Sequence, residues 1–423
     1  MNILIQGGRV IDPASRFDAL ADVAIADGKI LAVGALPEGF VPEQTVDAAG
    51  CIVAPGLVDL SVRLGGSLAS ELAAAVAGGV TSVVCPPDTE PVLDVPGLVE
   101  MLRYRAQRLQ LSRVFALGAL TRSLKGEVLT EMVGLTEAGC VAFGQAEVPL
   151  ANTQVLQRAL QYASTFGYAV WLRPQELHLG KGVAASGPMA TRLGLSGVPV
   201  AAETIALHTI FELVRATQAR VHLCRISSAA GVELVRQAKA EGLPVTCDVS
   251  INSLHLTDVD IGFFDSRMRL TPVLRQQRDR DALRAALADG TIDALVSDHS
   301  PVGEDAKVLP FAESEPGATG LELLLSLTLK WAADSGVDLC DALSTITQGP
   351  AAVMGAALGV LAPQLGRLTV GGVADVCVLD AAAHWVVQAD ALRSQGKHTP
   401  FGGYELPGKV RATLVGGRIA FRA

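Results

Sequence analysis

The sequence lacks the features that would assign it to a membrane, a secretion pathway or a nucleic acid. No apolar segment reaches the length of a membrane span without a charge or a turn signal. The first residues have neither the basic flank nor the long apolar core of a signal peptide. Lysine and arginine form no run, and the net charge of −9 disfavours a nucleic-acid surface. A cytoplasmic protein with no membrane or nucleic-acid partner is expected.

The cysteines form no metal or redox motif. There are seven, and no two of them have the Cys-x-x-Cys spacing of zinc ribbons and thiol–disulfide centres. Most lie in apolar runs such as Val83-Val84-Cys85, which is typical of small buried core residues. Half of the 423 residues are apolar and only 18% are charged, so the chain has to bury extensive surface. A large domain with a smaller one beside it is expected.

Both ends of the chain carry short alternating strands joined by glycine turns. Gly7-Gly8 and Asp27-Gly28 interrupt strands near the N-terminus, and Gly416-Gly417 marks a hairpin near the C-terminus. This similarity predicts one β-sandwich built from both ends. The predicted divisions are residues 1–54 for the first part of the sandwich, 55–355 for the domain between, and 356–423 for the second part of the sandwich.

Between the ends, eight apolar segments typical of strands alternate with helical ones. One helix, Ala229–Glu241, follows a Ser227-Ser228 cap and stops at Gly242. Strands that are apolar on both faces are typical of parallel sheets covered by helices, and eight such units predict a (β/α)8 TIM barrel. A doubly wound open sheet is the alternative, but no G-x-G-x-x-G follows the first strand. The predicted strands are Leu57–Leu64, Val80–Cys85, Arg113–Leu120, Cys140–Phe143, Tyr168–Leu172, Arg220–Ile226, Pro244–Val249 and Thr291–Ser297.

The end of the first barrel strand places Ser61 and Arg63 on one face, because strand residues two apart point the same way. Two imidazoles at this spacing could hold one metal ion. A hydroxyl and a guanidinium cannot, since arginine stays protonated and has no lone pair to offer.

The chain resembles the amidohydrolase superfamily, and within it the dihydroorotases, which cyclise carbamoyl aspartate in pyrimidine synthesis. The resemblance extends over nearly the whole length, including the split sandwich. The segments that carry it are Pro55-Gly56-Leu57-Val58-Asp59-Leu60, Gly78-Gly79-Val80-Thr81-Ser82-Val83-Val84, Ser297-Asp298-His299, Gly320-Leu321-Glu322 and Thr399-Pro400-Phe401-Gly402-Gly403.

The resemblance also implies a zinc site, and the matching positions hold other residues. Where dihydroorotases carry metal-binding histidines and an aspartate, this chain has Ser61, Arg63, Gln145, Arg173 and Arg225. Only the aspartate of the last strand is present, as Asp298. Zinc needs about three His, Asp, Glu or Cys ligands. We therefore expect no metal and no other cofactor, with Asp298 and His299 as remnants of the catalytic site.

Substrate-binding positions implied by the resemblance differ as well. Gly65 stands in place of an arginine, Asp88 in place of an asparagine and Val302 in place of a histidine. The sequence therefore predicts that the protein is not an enzyme but an inactive dihydroorotase homologue.

Two interpretations of the remaining charged residues stay open. Arg63, Arg173 and Arg225 could form an anion site, or they could pair internally with Asp298, Asp88 and Glu176. Asp298 and His299 could act as a metal-free acid–base pair, although neighbouring strand residues point to opposite faces.

The function that the resemblance implies is a non-catalytic subunit that supports the assembly or activity of aspartate carbamoyltransferase. Its expected partner is the catalytic chain of that enzyme, with the present chain a homodimer inside a larger complex. The alternatives are a metal-independent amidohydrolase and a regulatory subunit that senses an anionic metabolite.

Overall fold

The computed structural model describes all 423 residues, which form a parallel barrel and a mixed sheet. The strands are β1 (Ile3–Asp12), β2 (Phe17–Ala26), β3 (Lys29–Val33), β4 (Gln44–Asp47), β5 (Ile52–Pro55), β6 (Leu57–Asp59), β7 (Val80–Cys85), β8 (Arg113–Ala119), β9 (Cys140–Gly144), β10 (Ala169–Leu172), β11 (Ala184–Ala185), β12 (Gly197–Val198), β13 (Arg220–Leu223), β14 (Val245–Ser250), β15 (Ala294–Val296), β16 (Val376–Val386), β17 (Glu405–Val415) and β18 (Arg418–Arg422). The helices are α1 (Leu68–Ala77), α2 (Pro96–Leu109), α3 (Met132–Glu137), α4 (Thr153–Phe166), α5 (Pro188–Leu193), α6 (Ala201–Thr217), α7 (Ala229–Ala240), α8 (Ile251–His255), α9 (Gln277–Ala288), α10 (Leu324–Ser335), α11 (Leu339–Ser344) and α12 (Gln348–Met354).

The barrel consists of eight parallel strands in the order β6, β7, β8, β9, β10, β13, β14 and β15. The first and last strands meet just beyond their ends, where Val62 and His299 form a parallel bridge. The Arg63 N–H donates to the His299 carbonyl at 2.8 Å, and the His299 N–H donates to the Ser61 carbonyl at 3.1 Å. These bonds close the sheet on itself and confirm the predicted TIM barrel with its eight strands.

The strands form where the sequence is apolar on both faces. Every residue of β7 and β9 is buried, as the covering helices on one side and the barrel interior on the other require. The α7 helix begins after Ser228, whose Oγ accepts from the Gly231 N–H at 3.0 Å, so the predicted serine cap is confirmed. None of the helices combines the length and the apolarity needed to cross a bilayer.

Both ends of the chain contribute to one eight-stranded mixed sheet, as the sequence predicted. Strand β5 joins the two contributions, because it pairs in parallel with β1 and antiparallel with β16. Fifteen buried side chains form a core of this sheet, separate from the main core of 78. The divisions at residues 54/55 and 355/356 stay predictions, and the sheet itself ends at Pro55 and resumes at Val376.

The amino-terminal end of the barrel is closed by the segment after α12. Met354, Leu358 and Leu365 pack on the inward-facing Val58, Val84 and other apolar side chains of the barrel interior. Chemistry is therefore confined to the opposite end, at the carboxyl ends of the strands, as in other TIM barrels.

We expect Gly79→Ala to destabilise the protein more than Gly242→Ala. Both glycines have a left-handed backbone, with φ of +83° and +86°, which costs an alanine about 1–2 kcal/mol. A Cβ at Gly79 would also lie 2.6 Å from the Cys377 Sγ of the terminal sheet, whereas Gly242 has open space. That overlap adds about 1–3 kcal/mol. Urea unfolding measures both, and equal losses would contradict the described contact between barrel and sheet.

Candidate functional site

Six charged side chains meet at the carboxyl ends of the barrel strands. The positive ones are Arg63 after β6, Arg173 after β10 and Arg225 after β13, so the structure brings together all three predicted arginines. The negative ones are Asp88 after β7, Glu147 after β9 and Asp298 after β15.

Glu147 is the centre of this group, because its one carboxylate contacts all three guanidinium groups. Its Oε1 lies 3.0 Å from Arg63 Nη2 and accepts a hydrogen bond from Arg225 Nη2. Its Oε2 lies 2.5 Å from Arg173 Nε. The Glu147 side chain is 30% exposed, whereas those of Arg173 and Arg225 are 9% and 5% exposed. The carboxylate therefore covers the buried arginines from the solvent side.

The two aspartates each pair with one arginine. Asp88 Oδ2 accepts from both Nε and Nη2 of Arg63, at 3.0 and 2.8 Å. Arg225 Nη1 donates to Asp298 Oδ1 at 2.8 Å, with both side chains 5% exposed. The predicted pairing of the arginines with Asp88 and Asp298 is therefore present in the structure.

Glu176 does not take part, and Glu147 has the place that the sequence reasoning gave to Glu176. Glu176 Oε2 instead accepts from the His178 and Leu179 N–H groups in an exposed turn. The available signal was position: Glu147 follows strand β9 by only three residues, at the end of the barrel where the other charges lie.

The charges set the ionisation of Glu147. Partial burial alone would raise the pKa of its carboxyl group, but the guanidinium groups of Arg225, Arg173 and Arg63 outweigh burial and hold that pKa well below its usual range. Burial lowers the pKa of Arg173, and Glu147 acts in the opposite direction. The carboxylate of Glu147 is therefore ionised at neutral pH.

The residues at this end of the barrel do not fit a zinc ion. Three guanidinium groups have no lone pair to donate and would repel a dication. Gln145 points away from them, because its amide bonds the Thr121 hydroxyl and the Leu124 carbonyl at 2.9 and 2.8 Å. Ser61 lines a cavity of about 30 Å³ beside the arginines and supplies only a hydroxyl.

His299 lies apart from Asp298, on the outer side of the strand. Its Nε2 is 2.9 Å from Glu71 Oε2, and its Nδ1 accepts from the Gly320 and Leu321 N–H groups. The His299 side chain is fully buried. The imidazole therefore fixes helix α1 and the Gly320 segment to the barrel, and it makes no hydrogen bond to an arginine side chain.

One cluster of metal-binding residue types was missed by the sequence reasoning. His222, Cys224 and Asp248 come within 4.8 Å of one another inside the barrel. The His-x-Cys spacing at the end of β13 was the available signal. Two of the three side chains are already engaged in hydrogen bonds: the His222 ring nitrogens lie 2.8 Å from Asp248 and Thr246, and Asp248 accepts from the Arg225 N–H at 2.6 Å. We interpret the cluster as a support that holds Arg225 in place.

Comparison with known proteins agrees with the fold and the motifs. Residues 50–230 match the dihydro-orotase-like family model and residues 191–421 the amidohydrolase family model. A dihydroorotase-like protein of Pseudomonas aeruginosa is 44% identical, with 99% of each chain covered. The chain belongs to the dihydroorotase-like family of amidohydrolases. A dihydroorotase of Citrifermentans bemidjiense is 39% identical, with 100% of each chain covered.

The same architecture occurs in a solved enzyme structure. L-hydantoinase (dihydropyrimidinase) from Arthrobacter aurescens has a TM-score of 0.86 at 25% identity, over 99% of this chain and 95% of that chain. The TIM barrel with a sheet from both chain ends is therefore shared with hydantoinases.

The prediction that this dihydroorotase-like protein is not an enzyme is wrong. Relatives 39–40% identical over nearly the full length are named dihydroorotases, and the structural neighbour is a hydantoinase. These findings point to an amidohydrolase rather than an inactive homologue. The error came from treating the replaced zinc-site residues as sufficient to decide the question.

We expect Arg225→Met to cost about 3–5 kcal/mol of stability, because it leaves the buried Asp298 without its ion-pair partner and removes one of the three guanidinium groups that contact Glu147. The matched control is Arg236→Met, which removes an exposed arginine paired with Glu233 and Asp289. Solvent screens those charges, so the control should lose at most about 1 kcal/mol. Urea unfolding measures both variants. Equal losses of unfolding free energy would show that the buried charges at the barrel end stabilise the protein no more than an exposed ion pair does.

Proposed function

We propose that this dihydroorotase-like amidohydrolase works in pyrimidine biosynthesis as a subunit that associates with the catalytic chain of aspartate carbamoyltransferase. The family resemblance supplies the partner, and the structure supports an association by an exposed apolar surface. We further propose that the chain is a cytoplasmic homodimer within that complex and holds no metal where related enzymes would bind zinc.

The observation that carries the association is an exposed apolar surface formed by the loop after α8 and the loop after β15. The loop after α8 exposes 67% of Val259, 93% of Phe263 and 39% of Phe264. After β15, Val308 and Leu309 are 77% and 53% exposed. We call these five residues the rim patch. Concentrations of exposed large apolar side chains favour a protein–protein contact, in which aromatic residues contribute much of the affinity.

The two segments of the rim patch are held next to each other. The Ser266 hydroxyl donates to the Lys307 carbonyl at 2.7 Å, and Lys307 Nζ donates to the carbonyls of Arg269 and Glu315. The Phe263 and Phe264 rings stand edge to face at 5.6 Å. A partner would therefore meet a surface that is already ordered, which reduces the entropy lost on binding.

A metal-independent amidohydrolase is the second candidate, and the names of the relatives favour an amidohydrolase activity. The chemistry that this site can supply is electrostatic. Guanidinium groups bind a carboxylate with two parallel hydrogen bonds and stabilise negative charge that develops on a carbonyl oxygen. Turnover of carbamoyl aspartate that persists after chelator treatment would support this candidate, and turnover lost with the metal would contradict it.

We expect Phe263→Glu to weaken the complex with the carbamoyltransferase catalytic chain at least tenfold, because it places a charge in an apolar contact. The matched control is Val360→Glu, which alters a side chain 82% exposed at the closed end of the barrel. The two chains would be co-expressed, and complex formation measured by gel filtration together with carbamoyltransferase activity. Absence of a complex with the unchanged chain, or equal weakening by both variants, would contradict the proposal.

A further inference from the structure

We infer that Glu147 is an internal ligand that fills a carboxylate-binding site formed by Arg63, Arg173 and Arg225, and that an external carboxylate binds there by displacing it. The inference is independent of the proposed partner, because it rests on contacts within this chain alone.

The two sides of this contact are held differently. Arg173 directly follows β10, and the backbone N–H groups of Arg63 and Arg225 donate to the His299 carbonyl and to Asp248, at 2.8 and 2.6 Å. The side chains of Arg173 and Arg225 are almost fully buried. Glu147 belongs instead to residues 146–151, between β9 and α4, which have a single backbone hydrogen bond, from the Val148 N–H to the Gln145 carbonyl at 3.1 Å. Segments with few backbone hydrogen bonds open at low free-energy cost. The cationic site is therefore fixed, while its carboxylate can leave.

The backbone next to Glu147 is strained. Ala146 has a φ of +50°, in the left-handed region that costs an alanine about 1–2 kcal/mol. Gln145 before it is anchored by its Thr121 and Leu124 bonds. Rotation about Ala146 would relieve this strain while it withdraws the carboxylate from the arginines. Part of the cost of releasing Glu147 is therefore already offset in the resting structure.

The charges and hydrogen-bond donors around the site favour an external anion. Three guanidinium groups face three carboxylates, so departure of Glu147 leaves one net positive charge, with Arg173 losing its only ion-pair partner. The cavity beside them is also lined by Trp171 and Arg225, whose Nε1 and Nε hydrogens have no acceptor although the side chains are 2% and 5% exposed. Unused buried donors and a net positive charge favour an anion with further acceptor oxygens.

Two clefts open next to the arginines. A cleft of about 750 Å³ includes Arg63 and Asp88, and a second of about 220 Å³ includes Arg173 and Ala146. A dicarboxylate can thus place one carboxylate among the arginines and leave the other in a cleft. The expected ligand is a carboxylate because Glu147 itself binds the arginines through a carboxylate. A planar carboxylate also matches the bidentate hydrogen-bonding geometry of a guanidinium group.

The test is succinate binding to the full chain by isothermal titration calorimetry at low ionic strength. Glu147→Ala removes a competitor of high effective concentration, so its dissociation constant for succinate should fall at least tenfold relative to the unchanged chain. Glu176→Ala is the matched control, since Glu176 lies at the 220 Å³ cleft without contacting the arginines. Its affinity should equal that of the unchanged chain.

Three calorimetric results would overturn the inference: no succinate binding to Glu147→Ala, affinities within twofold of each other for both variants, or phosphate binding as tightly as succinate. Hydrogen exchange on the unchanged chain provides a second test that no folding defect can obscure. Saturating succinate should increase exchange at residues 146–151 and leave β10 and β13 protected. Unchanged or slower exchange at residues 146–151 would equally contradict displacement of Glu147.

Discussion

The contact between the Glu147 carboxylate and three buried guanidinium groups is the interaction on which the functional end of the barrel depends. Removing a charge from water costs several kcal/mol, and this cost is recovered only when an opposite charge and hydrogen bonds replace the solvent. Arg173 and Arg225 depend on such partners because both side chains are almost fully buried and have little contact with solvent. Glu147, Asp88 and Asp298 together neutralise the three arginines.

The barrel makes this arrangement possible because it brings distant parts of the sequence to one end. Arg63 and Asp298 are more than 200 residues apart, yet the closing bridge between Val62 and His299 places their strands side by side. Supporting contacts lie one layer away from the charges. His299 binds Glu71 on the outside of the barrel, and the His222–Asp248 pair receives the Arg225 N–H on the inside. The two histidine–carboxylate pairs therefore hold the backbone segments that carry the charged side chains.

The fold could be predicted from the sequence because its signals are local and repeated. Apolar runs predicted all eight barrel strands, a serine cap predicted the start of α7, and the similarity of the two chain ends predicted a shared sheet. The strand ends likewise identified Arg63, Arg173, Arg225 and Asp298 as neighbours. These residues belong to strands whose order the fold dictates.

The carboxylate that pairs with the arginines and the presence of enzymatic activity could not be predicted from the sequence. Glu147 and Glu176 both follow barrel strands within a few residues, and only the three-dimensional path of each loop decides which carboxylate reaches the arginines. The prediction that the protein is not an enzyme was wrong for a different reason. Residue types at the strand ends indicate whether zinc fits, but they do not determine whether a chain with relatives named dihydroorotases catalyses a reaction.

The ionisation of Glu147 is the property that most directly reports its contact with the three arginines. Carboxyl-carbon NMR of the glutamate-labelled protein would follow this group through an acid titration, with Glu147→Gln used to assign its signal. Because three arginines hold the pKa of Glu147 well below its usual range, the signal should stay in its ionised position for as long as the protein remains folded. A titration at the ordinary glutamate value of about 4.3 would show that the carboxylate does not lie among the guanidinium groups.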